Sequence, residues 1–237
     1  MQWERYSMSA PFLKFPHTHH LFDLGTCLSR ADKILTAEGA KLFFSRPVVL
    51  EEKIDGANLG FSLSPDGTVL VQNRGNYINA QNHPQFRLLD TWISKHEDSL
   101  FNILINNCIL FGEWCYALHS IAYNRLPDWF LGFDIYDRKL GRFLSRKKRH
   151  EILKETGLAE VPFLGEKMIT KTELGQMLYR KSAFYDGPVE GIYLRIDSED
   201  GYLLHRAKAV RPGFTQAIDS HWSRRKLTPN RLESASN

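Results

Sequence analysis

The chain has 237 residues, 43% of them hydrophobic and 24% charged, and this composition excludes wholesale disorder and low-complexity architecture. Its net charge of +4 permits a polyanionic partner without requiring one. No apolar run reaches the roughly 20 residues that cross a bilayer, and the amino terminus lacks the shape of a secretory signal, so we expect no membrane role. The three cysteines, Cys27, Cys108 and Cys115, lack metal-site or disulfide spacing. Their pattern favours a reducing intracellular compartment, the cytoplasm.

The first half of the chain predicts one clear β region between two helical ones. Residues 30–44 predict a helix, or a turn followed by a strand, that ends before Pro47. Residues 48–73 carry the strongest β signal, and the turn Pro65-Asp66-Gly67 joins two short strands as a hairpin. Apolar residues at helical spacing then predict a helix between residues 84 and 107.

The second half predicts buried strands, two helices and another hairpin. The predicted elements are strands at 108–116 and 129–137, helices at 145–158 and 170–184, and a hairpin at 188–210 that turns at Asp200-Gly201. The second of these helices has Thr170 or Thr172 as its N-cap, with Glu173 nearby. No βαβ rhythm runs through the chain. The sequence therefore predicts a single α+β domain with largely antiparallel sheets.

A lysine stands where a predicted strand ends, in Lys53-Ile54-Asp55-Gly56. Burying an ammonium group is costly unless the group is paired or its pKa falls, and a lysine with a lowered pKa is a nucleophile. Glycine after the lysine lets a backbone or a ligand approach closely. A lone tetrapeptide of this kind is more typical of a solvated strand edge and a turn, so it carries little weight by itself.

Further polar groups follow the lysine in order, mostly at predicted strand ends. They are Asn73-Arg74-Gly75, Phe111-Gly112-Glu113, Phe133-Asp134, Val189-Glu190-Gly191-Ile192 and Arg206-Ala207-Lys208. Alternation along a strand places the two cations of the last group on one face. Each group alone is typical of a salt bridge, a core residue or a solvated face. Together they indicate a site that contains a lysine, two carboxylates and a cationic pair.

This ordered set resembles the motifs of the covalent nucleotidyltransferases, the polynucleotide ligases and mRNA-capping guanylyltransferases. It is most similar to that of the ATP-dependent RNA ligases of the nick-sealing type, because of Asn58, the arginine Arg74 and the segment RAKAVRPGF. The segment KFPHTHHL also resembles the element that precedes the first motif in that family. The likeness extends from Phe15 to Phe214, most of the chain.

The resemblance implies an α+β nucleotidyltransferase fold, an ATP-grasp-like ligase catalytic domain in which antiparallel sheets form a nucleotide groove. It places this domain at residues 15–219, after an extension at 1–14 and before a basic tail at 220–237. The residues after Phe214 are too few for an OB-fold domain, so a catalytic domain alone is expected.

In these families the lysine of the first motif attacks ATP, and the resemblance gives that role to Lys53, with AMP bound to it as lysyl-AMP. Arg206 and Lys208 would lower the pKa of Lys53 and stabilise charge on the α-phosphate. Asn58 and Arg74 would contact the nucleotide or the RNA end. The matching RNA ligases have Lys-x-Lys where this chain has Arg206, so more weight falls on Lys208.

The remaining nucleotide contacts fall on four residues. Glu113 would accept hydrogen bonds from the ribose hydroxyls, and Phe133 would stack on the adenine. Glu190 would hold a divalent metal ion, Mg²⁺ or Mn²⁺, and a contact from Asp55 to the metal or the phosphates is expected.

The resemblance implies an RNA partner with 5′-phosphate and 3′-hydroxyl ends, and a protein partner could supply specificity for it. Two basic clusters outside the motifs are the candidate phosphate contacts: Arg146, Lys147, Lys148 and Arg149, and Arg224, Arg225 and Lys226. Each cluster is equally well interpreted as a solvated face.

Other interpretations remain open at this stage. A DNA ligase or a guanylyltransferase would share the lysyl-nucleotide step, and a non-catalytic RNA- or nucleotide-binding module could share the fold. The nucleotide whose α-phosphate labels the protein would separate the enzymes. A metal cluster at His17, His19 and His20, or a thiol nucleophile at Cys115 near His119, has weaker support.

Overall fold

The computed structural model describes residues 12–23, 33–212, 214 and 227–233. Two antiparallel sheets form its framework. In chain order the strands are β1 (Val48–Lys53), β2 (Ala57–Leu63), β3 (Val69–Gln72), β4 (Tyr77–Ile78), β5 (Cys108–Trp114), β6 (Phe130–Asp137), β7 (Arg142–Phe143), β8 (Phe163–Lys167), β9 (Gly191–Asp197) and β10 (Leu203–Val210).

The first sheet has the strand order β10-β9-β1-β8, and the second has the order β4-β3-β2-β5-β6-β7. The chain passes from the first sheet to the second at residues 54–56, between β1 and β2. The first candidate motif therefore lies at the junction of the two sheets. The α+β class and the antiparallel sheets predicted from the sequence are confirmed.

Five α-helices and one 3₁₀ turn connect the strands in the described residues. They are α1 (Ala37–Phe44), the 3₁₀ turn Pro84–Phe86, α2 (Leu89–Lys95), α3 (Glu97–Leu104), α4 (Arg146–Thr156) and α5 (Lys171–Met177). Polar caps start three of them: the side chains of Thr36, Ser145 and Thr170 accept backbone N–H bonds in the first turns of α1, α4 and α5. Glu173 completes a capping box with Thr170, as its position suggested.

Each sheet has a hydrophobic core of its own. Phe61, Trp92 and Trp114 belong to the larger core, which packs α2 and α3 against the second sheet. Leu50 and Ile192 belong to the core of the first sheet, which also contains residues of α1 and α5. The charged and polar residues described below occupy the space where the sheets meet.

Most predicted elements are confirmed, including both hairpins, but two helix predictions are wrong. Helix α5 ends at Met177, although a helix was predicted over residues 170–184. The segment 84–107 holds a 3₁₀ turn and two short helices instead of one helix. The break falls at His96, which ends α2 and precedes α3, packs on the Trp92 ring and lies 3.0 Å from Asp128. Strand β8, at the edge of the first sheet, was not predicted.

The part of the chain that the structure covers has no helix with both the length and the apolarity to cross a membrane.

Candidate functional site

Lys53 and Glu190 form an ion pair at the sheet junction. Lys53 ends β1 and pairs in register with Gly191, the first residue of β9, so Glu190 lies beside it. The Lys53 Nζ is 2.7 Å from both carboxylate oxygens of Glu190. Glu190 is 2% exposed and the Lys53 side chain 21%, so the lysine can be reached from the groove although its partner is buried.

A second carboxyl group, half-buried, faces this pair from the other sheet. Glu113 lies on β5, directly opposite Asn58 of β2. The Asn58 Oδ1 is buried, and no hydrogen-bond partner for it is present in the described structure. A buried unpaired acceptor is costly, so this oxygen indicates a place for a donor from a ligand. Asn58 and Glu113 therefore lie side by side on neighbouring strands and form one polar side of the site.

The glycine of the first motif permits this close approach. A Cβ on Gly56 would lie 2.6 Å from the carbonyl oxygen of Trp114 and 3.0 Å from the Cγ of Glu113. Any other residue would push the β1–β2 connection away from β5. Gly56 therefore brings Lys53 of one sheet towards Glu113 of the other.

The acidic groups of the site have raised pKa values. Burial raises the pKa of Glu190 to about 8, and the charges of Asp55 and Glu113 add to this rise. Burial raises the pKa of Glu113 to about 7, and the charges of Lys53 and Arg74 oppose it. Both carboxyl groups therefore take up protons near neutral pH, and a cation bound beside them would favour their ionised forms.

The expectation that neighbouring cations lower the pKa of Lys53 is wrong for this structure. Burial lowers the pKa of Lys53, but the attraction of Glu190, Glu113 and Asp55 outweighs burial and raises it. The carboxylates around the ammonium keep it charged while no nucleotide is bound. Its attack on a phosphate requires that this attraction be relieved first.

Asp55 is engaged with the protein backbone. Its Oδ2 accepts hydrogen bonds from the N–H groups of Ser120, at 2.7 Å, and Ile121, at 3.0 Å. Its own N–H donates to the Tyr123 hydroxyl at 2.9 Å. These contacts hold the loop after β5 against the sheet junction. The expected contact of Asp55 with a metal or the phosphates stays a prediction.

The two cations of the last motif have different surroundings. Ala207 and Ala209 are buried in the core of the first sheet, so Arg206 and Lys208 face the opposite side, as alternation predicted. Arg206 Nη1 donates to Asp134 at 2.8 Å, and its guanidinium lies over the Phe143 ring. Lys208 is half-buried and is paired in register with Tyr193 of β9.

A buried ionic network links the sheets behind Phe133. Arg195 donates to the Phe133 carbonyl at 3.2 Å and to Asp134 at 2.5 Å. Arg149 donates to the same carbonyl at 2.5 Å and forms an ion pair with Glu51. The backbone of Phe133 is thus held by two arginines, while its half-buried side chain lies against Phe15. No sequence pattern predicts this network, because its members are far apart along the chain.

The structure contradicts the expected role of Arg149 as an RNA contact at the protein surface. Arg149 is completely buried and is bound to Glu51 and Glu160. The neighbouring cations are also engaged: Arg146 lies over the Phe163 ring, and Lys148 donates to the carbonyl of Asp200 at 2.9 Å. Lys147 is exposed. Arg224, Arg225 and Lys226 lie outside the described residues.

Arg74 lies in the exposed turn between β3 and β4, where its charge acts on Glu113. The thiol of Cys115 is buried, and burial raises its pKa, which opposes the alternative role as a thiolate nucleophile.

Within the described residues, no group of three His, Cys, Asp or Glu side chains has the geometry to hold a metal ion by itself. Magnesium is usually bound by one or two carboxylates together with waters and substrate phosphates. Glu190 can supply one carboxylate for this mode of binding, because a bound cation would favour its ionised form.

Comparison with known proteins gives a family and a fold. The RNA ligase family model matches residues 46–210, more than half of the chain. No curated protein sequence matches. Among solved structures, a Naegleria gruberi RNA ligase mutant with ATP and Mn is similar at 15% identity and a TM-score of 0.64, over 86% of this chain and 58% of that one. The same ligase with PPi is similar at 18% identity and a TM-score of 0.60, over 85% and 61% of the two chains.

The family match and the fold agree: this chain belongs to the RNA ligase family. The structural likenesses show the shared nucleotidyltransferase fold, and they leave about four tenths of the Naegleria gruberi chains without a counterpart here. The resemblance drawn from the sequence motifs is confirmed.

Proposed function

We propose that this protein is an ATP-dependent RNA ligase that joins 3′-hydroxyl and 5′-phosphate RNA ends. The observation that carries the proposal is the position of Lys53, reachable from the groove and surrounded by the carboxylates of Glu190 and Glu113. A lysine used only for structure would not need an ammonium group that is partly accessible beside two carboxyl groups. Similar Naegleria gruberi RNA ligase structures contain ATP and Mn, or AMP and Mn.

The proposed reaction has three transfers. First, the neutral Lys53 amine attacks the α-phosphorus of ATP, a P–N bond forms, and the P–O bond to pyrophosphate breaks. An RNA 5′-phosphate oxygen then attacks the same phosphorus, which releases Lys53 and makes RNA-adenylate. Finally the 3′-hydroxyl attacks the RNA 5′-phosphorus, forms the phosphodiester and releases AMP.

The side chains around Lys53 suit these transfers. Lys208 would stabilise charge on the α-phosphate, and Phe133, with its backbone held by two arginines, would stack on adenine. Asn58 and Glu113 would meet the ribose hydroxyls, which can donate to the unpaired Asn58 Oδ1. Arg74 would contact phosphate at the rim of the groove.

A divalent cation would lie beside Glu190 and the substrate phosphates, where it would neutralise charge during the transfers. Its binding would also reduce the attraction that keeps Lys53 protonated. Arg206 would position the strands around the site instead of contacting the phosphates, because its guanidinium is paired with Asp134.

Mass spectrometry of the protein after incubation with ATP and Mg²⁺ tests the proposal. The expected product carries one AMP on Lys53, and a 5′-phosphorylated RNA with a 3′-hydroxyl strand should discharge it. Lys53→Arg should form no adduct, since a guanidinium stays protonated. Lys139→Arg, at an exposed lysine far along the chain, is the matched control. Labelling by GTP instead, or sealing of DNA alone, would overturn the proposal in favour of a guanylyltransferase or a DNA ligase.

We also propose that residues 15–219 form the catalytic unit and that the protein acts in the cytoplasm. A protein partner would supply its RNA specificity.

A further inference from the structure

The segment of residues 12–21, here called the strap, crosses the groove from one sheet to the other. At one end the Gln72 side chain on β3 donates to the Leu13 carbonyl at 2.7 Å. In the middle Phe15 is buried against Phe111 and Phe133. At the other end the Lys208 N–H on β10 donates to the His19 carbonyl at 2.9 Å. The strap is therefore fixed to both sheets.

Four basic side chains are exposed around the strap, and we call them the rim: Lys14, His17, Lys33 and Arg74. Lys33 is held next to the strap because its carbonyl accepts from the His20 N–H at 2.7 Å. The turn that carries Arg74 is held by the Asn73 side chain, which accepts two backbone N–H bonds at 2.8 Å.

The charges of the rim act on one another. Partial burial lowers the pKa of His17, and the charges of Arg74, Lys14, Lys208 and Lys33 lower it further. The same Arg74 acts on Glu113. The charge of the rim thus acts on the site that contains Lys53.

None of the ion pairs found in the described part of the chain includes Lys14, Lys33 or Arg74. The basic run on α4 differs in this respect, since Arg149 is buried in ion pairs and Lys148 is bound to a carbonyl. Like charges held together repel one another, and an anion relieves that repulsion. The rim therefore offers several exposed charges to a ligand, whereas the α4 run offers that of Lys147.

We propose that the rim binds the phosphates of an RNA strand as it enters the groove. This inference rests on the proposed ligase function. The rim is exposed, spans the strap and an adjoining turn, and has more cations than a single phosphate needs. An RNA strand supplies successive phosphates to such a surface, and the contacts carry no base preference.

The test measures binding of a 5′-phosphorylated single-stranded RNA by fluorescence anisotropy over a range of salt concentrations. Wild type is compared with Lys14→Gln/Lys33→Gln and with the control Lys139→Gln/Lys154→Gln, which removes the same charge from exposed sites on other elements. Each lost phosphate contact should reduce the slope of log affinity against log salt by about 0.7. The rim variant should therefore lose about 1.4 from the slope and roughly tenfold or more in affinity at low salt. The control should stay within about twofold.

Formation of lysyl-AMP from ATP is measured on the same three proteins. A larger loss of RNA binding than of lysyl-AMP formation in the rim variant supports the inference. Unchanged RNA binding in that variant, or an equal loss in the control, overturns it. A loss of lysyl-AMP formation alone also overturns it, because the rim would then serve the triphosphate of ATP. If wild type forms no lysyl-AMP, the proposed function fails, and the binding comparison still decides the role of the rim.

Discussion

Arg206 donates to Asp134 at 2.8 Å and thereby joins strand β10 of the first sheet to strand β6 of the second. Arg195 of β9 donates to the other oxygen of the same carboxylate. Asp134 is completely buried, so its charge depends on these two arginines. The contact places Arg206 in the framework that holds the sheets together, and Lys208 follows two residues later on the same face of β10.

This division predicts different results for the two cations. Lys208→Ala should lower the single-turnover rate of lysyl-AMP formation by about 100-fold or more, as loss of a group that stabilises transition-state charge does. Arg206→Lys keeps the charge beside Asp134 and should lower that rate less than tenfold. It should also lower the melting temperature, because the stacking on Phe143 is lost. Equal losses of rate in the two variants would contradict the assignment of Arg206 to positioning.

Two glycines make a matched pair for testing the close contact between the sheets. In Gly56→Ala the new Cβ would lie 2.6 Å from the Trp114 carbonyl oxygen, so the variant should lose about 1–3 kcal/mol of unfolding free energy and most lysyl-AMP formation. In Gly175→Ala the Cβ meets open space within helix α5, which should stabilise the protein by up to about 1 kcal/mol. Urea denaturation of both variants measures the difference. If Gly56→Ala leaves the unfolding free energy unchanged, the junction of the two sheets can relax around the added methyl group.

The sequence predicts features that depend on neighbouring residues better than contacts between residues far apart along the chain. The hairpin turn at Gly67 and the cap at Thr170 depend on neighbouring residues, and both are confirmed. The ion pair between Glu51 and Arg149 joins residues 98 apart and follows no periodic pattern. Arg149 lies in a run of surface-type residues, and its burial depends on tertiary structure alone. The same holds for His96, which interrupts an apparently continuous helical pattern through contacts with Trp92 and Asp128.

The titration of Glu113 predicts how stability depends on pH. Its pKa is raised to about 7, so between about pH 5 and 7 the folded protein holds a proton that the unfolded chain has lost. The unfolding free energy should therefore fall as pH rises through this window. Glu113→Gln should make this fall in unfolding free energy smaller by on the order of 1–2 kcal/mol. Urea denaturation at pH 5 and pH 7.5 measures it in the metal-free protein. Glu155→Gln, at an exposed carboxylate of α4, should leave the fall unchanged, and an equal effect in the two variants would contradict the prediction.

The basic run on helix α4 contains both a buried arginine, Arg149, and an exposed lysine, Lys147. Arg149→Ala removes the partner of the buried Glu51 and a donor to the Phe133 carbonyl, so it should cost about 3–5 kcal/mol of unfolding free energy. Lys147→Ala, two residues earlier and exposed, should change that free energy by no more than about 0.5 kcal/mol.

The same contrast applies to the enzyme assays. Neutralising Arg146, Lys147, Lys148 and Arg149 together should reduce lysyl-AMP formation and sealing alike, because Arg149 supports the backbone of Phe133. Restoring Arg149 alone in that variant should recover lysyl-AMP formation. If lysyl-AMP formation stays intact in the quadruple variant while sealing falls, the run contacts RNA after all, and the buried network has little influence on the nucleotide site.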